Sequence, residues 1–117
     1  MTDSRGRMGT RAEVLFGANA MTSIAEAAER SQAHGGLRGG WDSDANGRFA
    51  RVEGAGVPEV GMYFPSEGTE PSDSMCDLLR STIGEGILVV IDPYAGELAV
   101  YIVDGDGCRT ASALVSE

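Results

Sequence analysis

Asp42, Asp44, Asn46, Gly47 and Glu53 stand in the order Asp-x-Asp-x-Asn-Gly-x₅-Glu, the spacing of a calcium-binding loop. Ca²⁺ takes hard oxygen ligands. This pattern offers carboxylates at loop positions one and three, an amide at five and a bidentate carboxylate at twelve. An EF-hand also needs a helix on each side. The segment before the loop is Gly35-Gly36-Leu37-Arg38-Gly39-Gly40, and each Gly costs a helix roughly 1 kcal/mol relative to Ala. The segment after it, Gly54-Ala55-Gly56-Val57-Pro58, cannot be a helix either. Two readings therefore stand. The flanks favour an acidic hairpin loop; the alternative is a calcium-responsive module with Asp42, Asp44, Asn46 and Glu53 as ligands outside a helical frame.

The remaining reactive side chains are scattered. His34 is the only histidine, and at the end of a helical pattern its partial positive charge suits the helix dipole. Ser66-Glu67 and Asp73 are polar groups on which a non-metal enzyme would draw, but no matched base or oxyanion motif accompanies the serine. Cys76 and Cys108 belong to no Cys-x-x-Cys motif and read as small buried hydrophobes in a reducing cytoplasm. Trp41 reads as part of a small core.

The elements that must carry these residues are legible from periodicity. Val14-Leu15-Phe16 is a first strand or a helix start. Met21, Ile24, Ala25 and Ala28 follow helical spacing, which predicts a helix from Asn19 or Thr22-Ser23 to about Arg30. His34-Gly35-Gly36 ends it, and a Gly-rich connection follows. Asn46-Gly47 marks a hairpin whose second arm is Arg48–Glu53. Ser72 is placed to cap a second helix from Asp73 to about Thr82. Ile87–Asp92 is apolar on consecutive positions, which predicts burial on both faces. Glu97–Asp104 carries apolar residues on both alternating sets and needs cover on two sides. Thr110–Val115 reads as a last short strand.

The stretch Gly61-Met62-Tyr63-Phe64-Pro65-Ser66 followed by Pro71-Ser72-Asp73-Ser74-Met75 resembles the core of the JAMM/MPN metalloprotease family. That family carries Gly-Trp-Tyr-His-x-His-Pro and then Pro-Ser-x-x-Asp. Gln32-Ala33-His34-Gly35-Gly36-Leu37-Arg38-Gly39 is similar to the family's Glu-x-x-Gly-x-Leu-x-Gly, and the likeness runs from Glu59 to about Gly107. The resemblance implies an α+β fold, a small JAMM/MPN-like mixed β-sheet with about two packed helices. It puts Gln32 at the position of the general base and Phe64, Ser66 and Met75 at those of the zinc ligands. Phe cannot ligate, a thioether and a lone hydroxyl are poor zinc ligands, and Gln cannot accept the proton. The resemblance thus implies a catalytically inactive pseudoenzyme without zinc, a structural or protein-interaction subunit working as a homodimer or in a hetero-complex.

Composition sets the outer bounds. A chain of 117 residues holds one core, and residues 1–10 read as a flexible tail before a single domain spanning 11–117. No apolar run is long enough to span a bilayer, which predicts a protein away from the membrane. The net charge is −9 and all nine basic residues are Arg. Such a field repels phosphate backbones and disfavours nucleic acid. The missing Lys fits either a salt-rich cell, where screening removes self-repulsion, or codon bias in a GC-rich genome.

Overall fold

The computed structural model describes residues 10–115. The expected N-terminal tail lies outside them except for Thr10, which opens the first strand. Strand β1 (Thr10–Phe16) leads into helix α1 (Ala20–Ser31), so Val14-Leu15-Phe16 is strand. Strands β2 (Gly35–Asp44) and β3 (Gly47–Gly56) form a hairpin, and β4 (Gly61–Pro65) follows. Helix α2 (Asp73–Ile83) then returns the chain to β5 (Gly86–Asp92), and β6 (Glu97–Asp104) and β7 (Gly107–Val115) complete the fold.

Local chemistry explains most boundaries. Ser72 caps α2, its hydroxyl accepting the Met75 backbone N–H at 3.3 Å, a contact worth about 1 kcal/mol. Helix α1 begins at Asn19 without a side-chain cap and ends at Gln32, which adopts a left-handed conformation at φ 54°. Asp44 holds the tip of the hairpin by accepting the Asn46 N–H at 2.8 Å, and Asp104 does the same for Asp106 at the β6–β7 turn. The Gly-rich run expected to be a connection is instead the start of β2. Two of its glycines, Gly36 and Gly39, permit close backbone approach: a Cβ on Gly39, at φ 153°, would run into the Arg51 carbonyl oxygen of β3. That is the use of Gly within a strand beside a bulge, and the β2–β3 register shifts between Arg38 and Gly39.

The sheet closes on itself. Its order is β1-β3-β2-β4-β5-β6-β7, with β7 returning to pair with β1 in parallel from Glu13↔Ser112 to Phe16↔Val115. This seven-stranded barrel overturns the JAMM/MPN-like sheet that the motif resemblance implied. The physical reason is the pairing of the first strand: β1 inserts between β3 and β7 and removes both free edges. Two helices and a mixed sheet are present as expected, but in a different architecture. The parallel pair β4–β5 requires a crossover, which α2 supplies.

Two apolar layers result. The barrel interior collects Val14 and Phe16 from β1, Val52 from β3, Val89 and Ile91 from β5, and Val100 and Ile102 from β6. Helix α1 closes that interior with Ala20, Ile24 and Ala28, one residue per turn. Outside the barrel, α2 lays Cys76 and Leu79 over Met62, Phe64, Leu88, Val90, Tyr101 and Val103. Strand β5 is therefore buried at every position, and both faces of β6 find cover within the chain.

Candidate functional site

Strands β4 and β5 run in parallel and end side by side, and the C-terminal turn of α1 ends above them. Between these three ends lies an open cleft of about 480 Å³. Glu29 and Gln32 line it from α1, Ser66 and Glu67 from the loop after β4, and Pro93 and Tyr94 from the loop after β5. Tyr94 is 85% exposed. The left-handed Gln32 sits where Gly is usually favoured.

Asp92 ties together the two loops that border this cleft. Its carboxylate accepts the Gly68 N–H at 2.7 Å and the Tyr94 and Ala95 N–H groups at 3.0 Å each. The bonds from Gly68 and Ala95 hold its pKa below the ordinary carboxylate value, against the opposing effect of desolvation. The Tyr101 hydroxyl donates to the Thr69 carbonyl at 2.5 Å, a second anchor for the same loop. Burial pushes the Tyr101 phenol up from its usual value. All three donors to Asp92 are backbone groups, so the carboxylate serves the loops.

The four positions drawn from the motif resemblance divide between two places. Gln32 and Ser66 share the cleft. Phe64 points to the other side of β4, where it and the half-buried Met75 belong to the layer under α2. Strand alternation decides this: Tyr63 faces the barrel interior, so Phe64 cannot. His34 stacks on Phe64 with ring centroids 5.4 Å apart. Ser66 donates weakly to the neighbouring Glu67 carbonyl at 3.3 Å, and no base is bonded to it among the described residues.

The calcium pattern lies on the β2–β3 hairpin. Asp42 and Asp44 end β2, Asn46 is in the turn, and Glu53 is well along β3. At the rise of a strand, six residues from Gly47 to Glu53 span about 20 Å. The structure therefore does not bring Glu53 to Asp44. Each carboxylate instead meets arginine: Asp44 binds Arg11 at 2.7 Å, Asp42 binds Arg51 at 3.5 Å, and Glu53 lies 3.8 Å from Arg38. Among the described residues no group of three or more His, Cys, Asp or Glu side chains is placed to hold a metal ion. Trp41 is half-buried against the interior layer, with the Arg48 guanidinium 4.0 Å above its ring and that guanidinium bonded to Glu85 at 2.6 Å.

A second concavity opens where β6 and β7 part. Their ladder stops at Val100↔Ala111, although β6 extends back to Glu97 and β7 forward to Val115. Beyond that point β7 pairs with β1. The result is a groove of about 440 Å³ lined by Met21, Leu98, Val100, Ala111 and Ala113. Past it on β7, Val115 continues the face of Ala111 and Ala113 and is 54% exposed, while Leu114, 44% exposed, points to the other side of the strand.

No protein-family model matches this chain, and no curated protein matches it. Among solved structures it is similar to the solution structure of protein DSY2949 from Desulfitobacterium hafniense. The identity is 15%, the match covers 89% of this chain and 93% of that one, and the TM-score is 0.61. At that identity the likeness carries the fold alone. With the closed barrel and no matching family, JAMM/MPN membership is withdrawn. Among the described residues no helix is long and apolar enough to cross a membrane.

Two features escaped the sequence reading. Asp92-Pro93 reads as an ordinary turn, and only the parallel placement of β4 shows that Asp92 also holds Gly68. Cys76 and Cys108, 32 positions apart by number, share one layer. Nothing in their spacing signals it.

Proposed function

We propose that the chain is a non-catalytic association domain whose interface is β7, and that the occupant of the β6–β7 groove is a second copy of the chain. The observation that carries this reading is the apolar groove, continued along the same face of β7 by the exposed Val115. Charge favours a second copy at this place. Each chain carries nine excess negative charges, which repel between copies. The run Thr110-Ala111-Ser112-Ala113-Leu114-Val115 has no charged residue, so two copies meeting there set no charged side chain of this run against another. A two-fold arrangement lets the same patch serve both partners. The setting that suits two free thiols is a reducing cytoplasm.

Sedimentation velocity of the purified chain at low and molar KCl tests this. A dimer that tightens with salt, and that Val115→Glu converts to a folded monomer, is the expected result. A wild-type chain that stays monomeric at both salt concentrations overturns self-association. So does a dimer indifferent to Val115→Glu and to Ala113→Glu.

A further inference from the structure

We infer that Cys76 and Cys108 are a disulfide-forming pair, the site at which a small disulfide of the glutathione class cross-links α2 to β7. Cys76 is on the sheet-facing side of α2 and is 6% exposed. Cys108 is the second residue of β7, opposite Val103 of β6. Val103 and Cys76 both belong to the layer under α2, and Cys108 packs on that layer from its margin. Arg80, one turn after Cys76 on α2, donates from Nε to the Asp104 carbonyl at 2.9 Å, so this part of the helix lies over the β6–β7 turn from which Cys108 starts. Both are free thiols. Helix α2 rests mainly on β5, β4 and β6, so the new bond would tie it to the strand it otherwise barely meets.

The order of steps follows from exposure. Cys108 is half-buried and reachable, whereas Cys76 is covered. The Cys108 thiolate attacks one sulfur of the small disulfide, forming a mixed disulfide and expelling one glutathione thiolate. The Cys76 thiolate then attacks the Cys108 sulfur, closes the intrachain bond and expels the second glutathione thiolate. The two protein thiols lose two protons and two electrons; both end on the two released glutathione thiols. Burial and the neighbouring Cys76 push the Cys108 thiol up to about 11, with Arg80 pulling the other way. Its thiolate is therefore scarce near neutrality. Exchange is slow there and quickens about tenfold per pH unit below that value.

The test uses the full reduced chain incubated with glutathione disulfide at pH 7, 8 and 9. Cleavage at arginine without reduction follows. A cut at Arg80 separates the cysteines, leaving one in residues 52–80 and the other in residues 81–109. The expected product is these two peptides joined within one chain, at a rate rising about tenfold per pH unit. Cys76→Ser should stop at a single glutathione adduct on Cys108, and Cys108→Ser should remain unmodified while folded. A wild-type chain that rests as the Cys108 adduct overturns the inference. Cross-links between chains in place of the internal bond, or linkage that forms only in denaturant, overturn it equally.

Discussion

The Asp92 carboxylate, at the end of β5, accepts the backbone N–H of Gly68, in the loop after β4, at 2.7 Å. It also receives two N–H groups of its own turn. One side chain thereby fixes both loops that border the cleft, and the geometry of that cleft depends on its charge.

Asp92→Asn should expose that dependence. The folded-state pKa of Asp92 is depressed, while its unfolded value is near 3.9. Its stabilising contribution is therefore present above about pH 4 and is lost as pH falls through the lower folded value. The variant should melt several degrees below the wild type at pH 7, with the gap shrinking on acidification below about pH 4. Thermal melts across pH 2–8 check this. A gap that stays constant with pH would remove the carboxylate from the account.

Cys108 supplies the alkaline counterpart. Its thiol is raised to about 11 by burial and by Cys76, against about 8.5 in an unfolded chain. The neutral thiol is favoured in the fold, so its contribution is full below about pH 8.5 and declines as pH rises towards the folded value. Wild-type stability should fall between pH 9 and 11 more steeply than that of Cys108→Ala. Parallel alkaline melts under reducing conditions measure the difference.

Leu79 and Leu114 should respond oppositely to truncation. Leu79 is fully buried on the barrel-facing side of α2, and Leu79→Ala should cost about 2–5 kcal/mol by the cavity it leaves. Leu114 is 44% exposed, and in the monomer Leu114→Ala should fall within about 0.5 kcal/mol of wild type. Urea titration at a concentration low enough to hold the monomer compares the two. Equal losses would mean that β7 is covered in the isolated chain.

Salt should stabilise the fold. Nine excess negative charges repel one another, and the Debye length shrinks from about 10 Å at 0.1 M to about 3 Å at 1 M. Exposed pairs such as Arg51–Asp42 and Arg38–Glu53 lose attraction in the same range, but each contributes only about 0–1 kcal/mol. The melting temperature should rise between low and molar KCl. A temperature that does not move would show these pairs balancing the repulsion.

Calcium should leave the protein unchanged. Arginines already occupy the carboxylates of Asp42, Asp44 and Glu53, and Glu53 lies far along β3 from the turn. Ca²⁺ at 100 times a site's Kd would add about 2.7 kcal/mol to stability. Melts with calcium and with chelator should coincide; a rise with calcium would establish a site on the hairpin.

Much of the local structure was already determined by the sequence. The spacing of Met21, Ile24 and Ala28 specifies α1, Ser72 starts α2, Asn46-Gly47 turns the hairpin, and the unbroken apolar run of β5 predicts burial on both faces. These follow from interactions among near neighbours, which spacing encodes. Gly35–Gly40 escaped because Gly36 and Gly39 serve a close approach to β3, whose paired residues are up to 20 positions away. Closure escaped for the same reason. Whether β1 lies at a sheet edge or between β3 and β7 depends on pairing across nearly the whole chain, and a motif of six residues around Phe64 carries no record of it. The candidate sites are tertiary as well. Gln32 and Ser66 share a cleft, and Cys76 and Cys108 an apolar layer, only because parallel β4 and β5 bring separate loops to one end and α2 lies across the barrel wall. Local chemistry decided which elements form; the long-range pairing of their backbones decided which side chains meet.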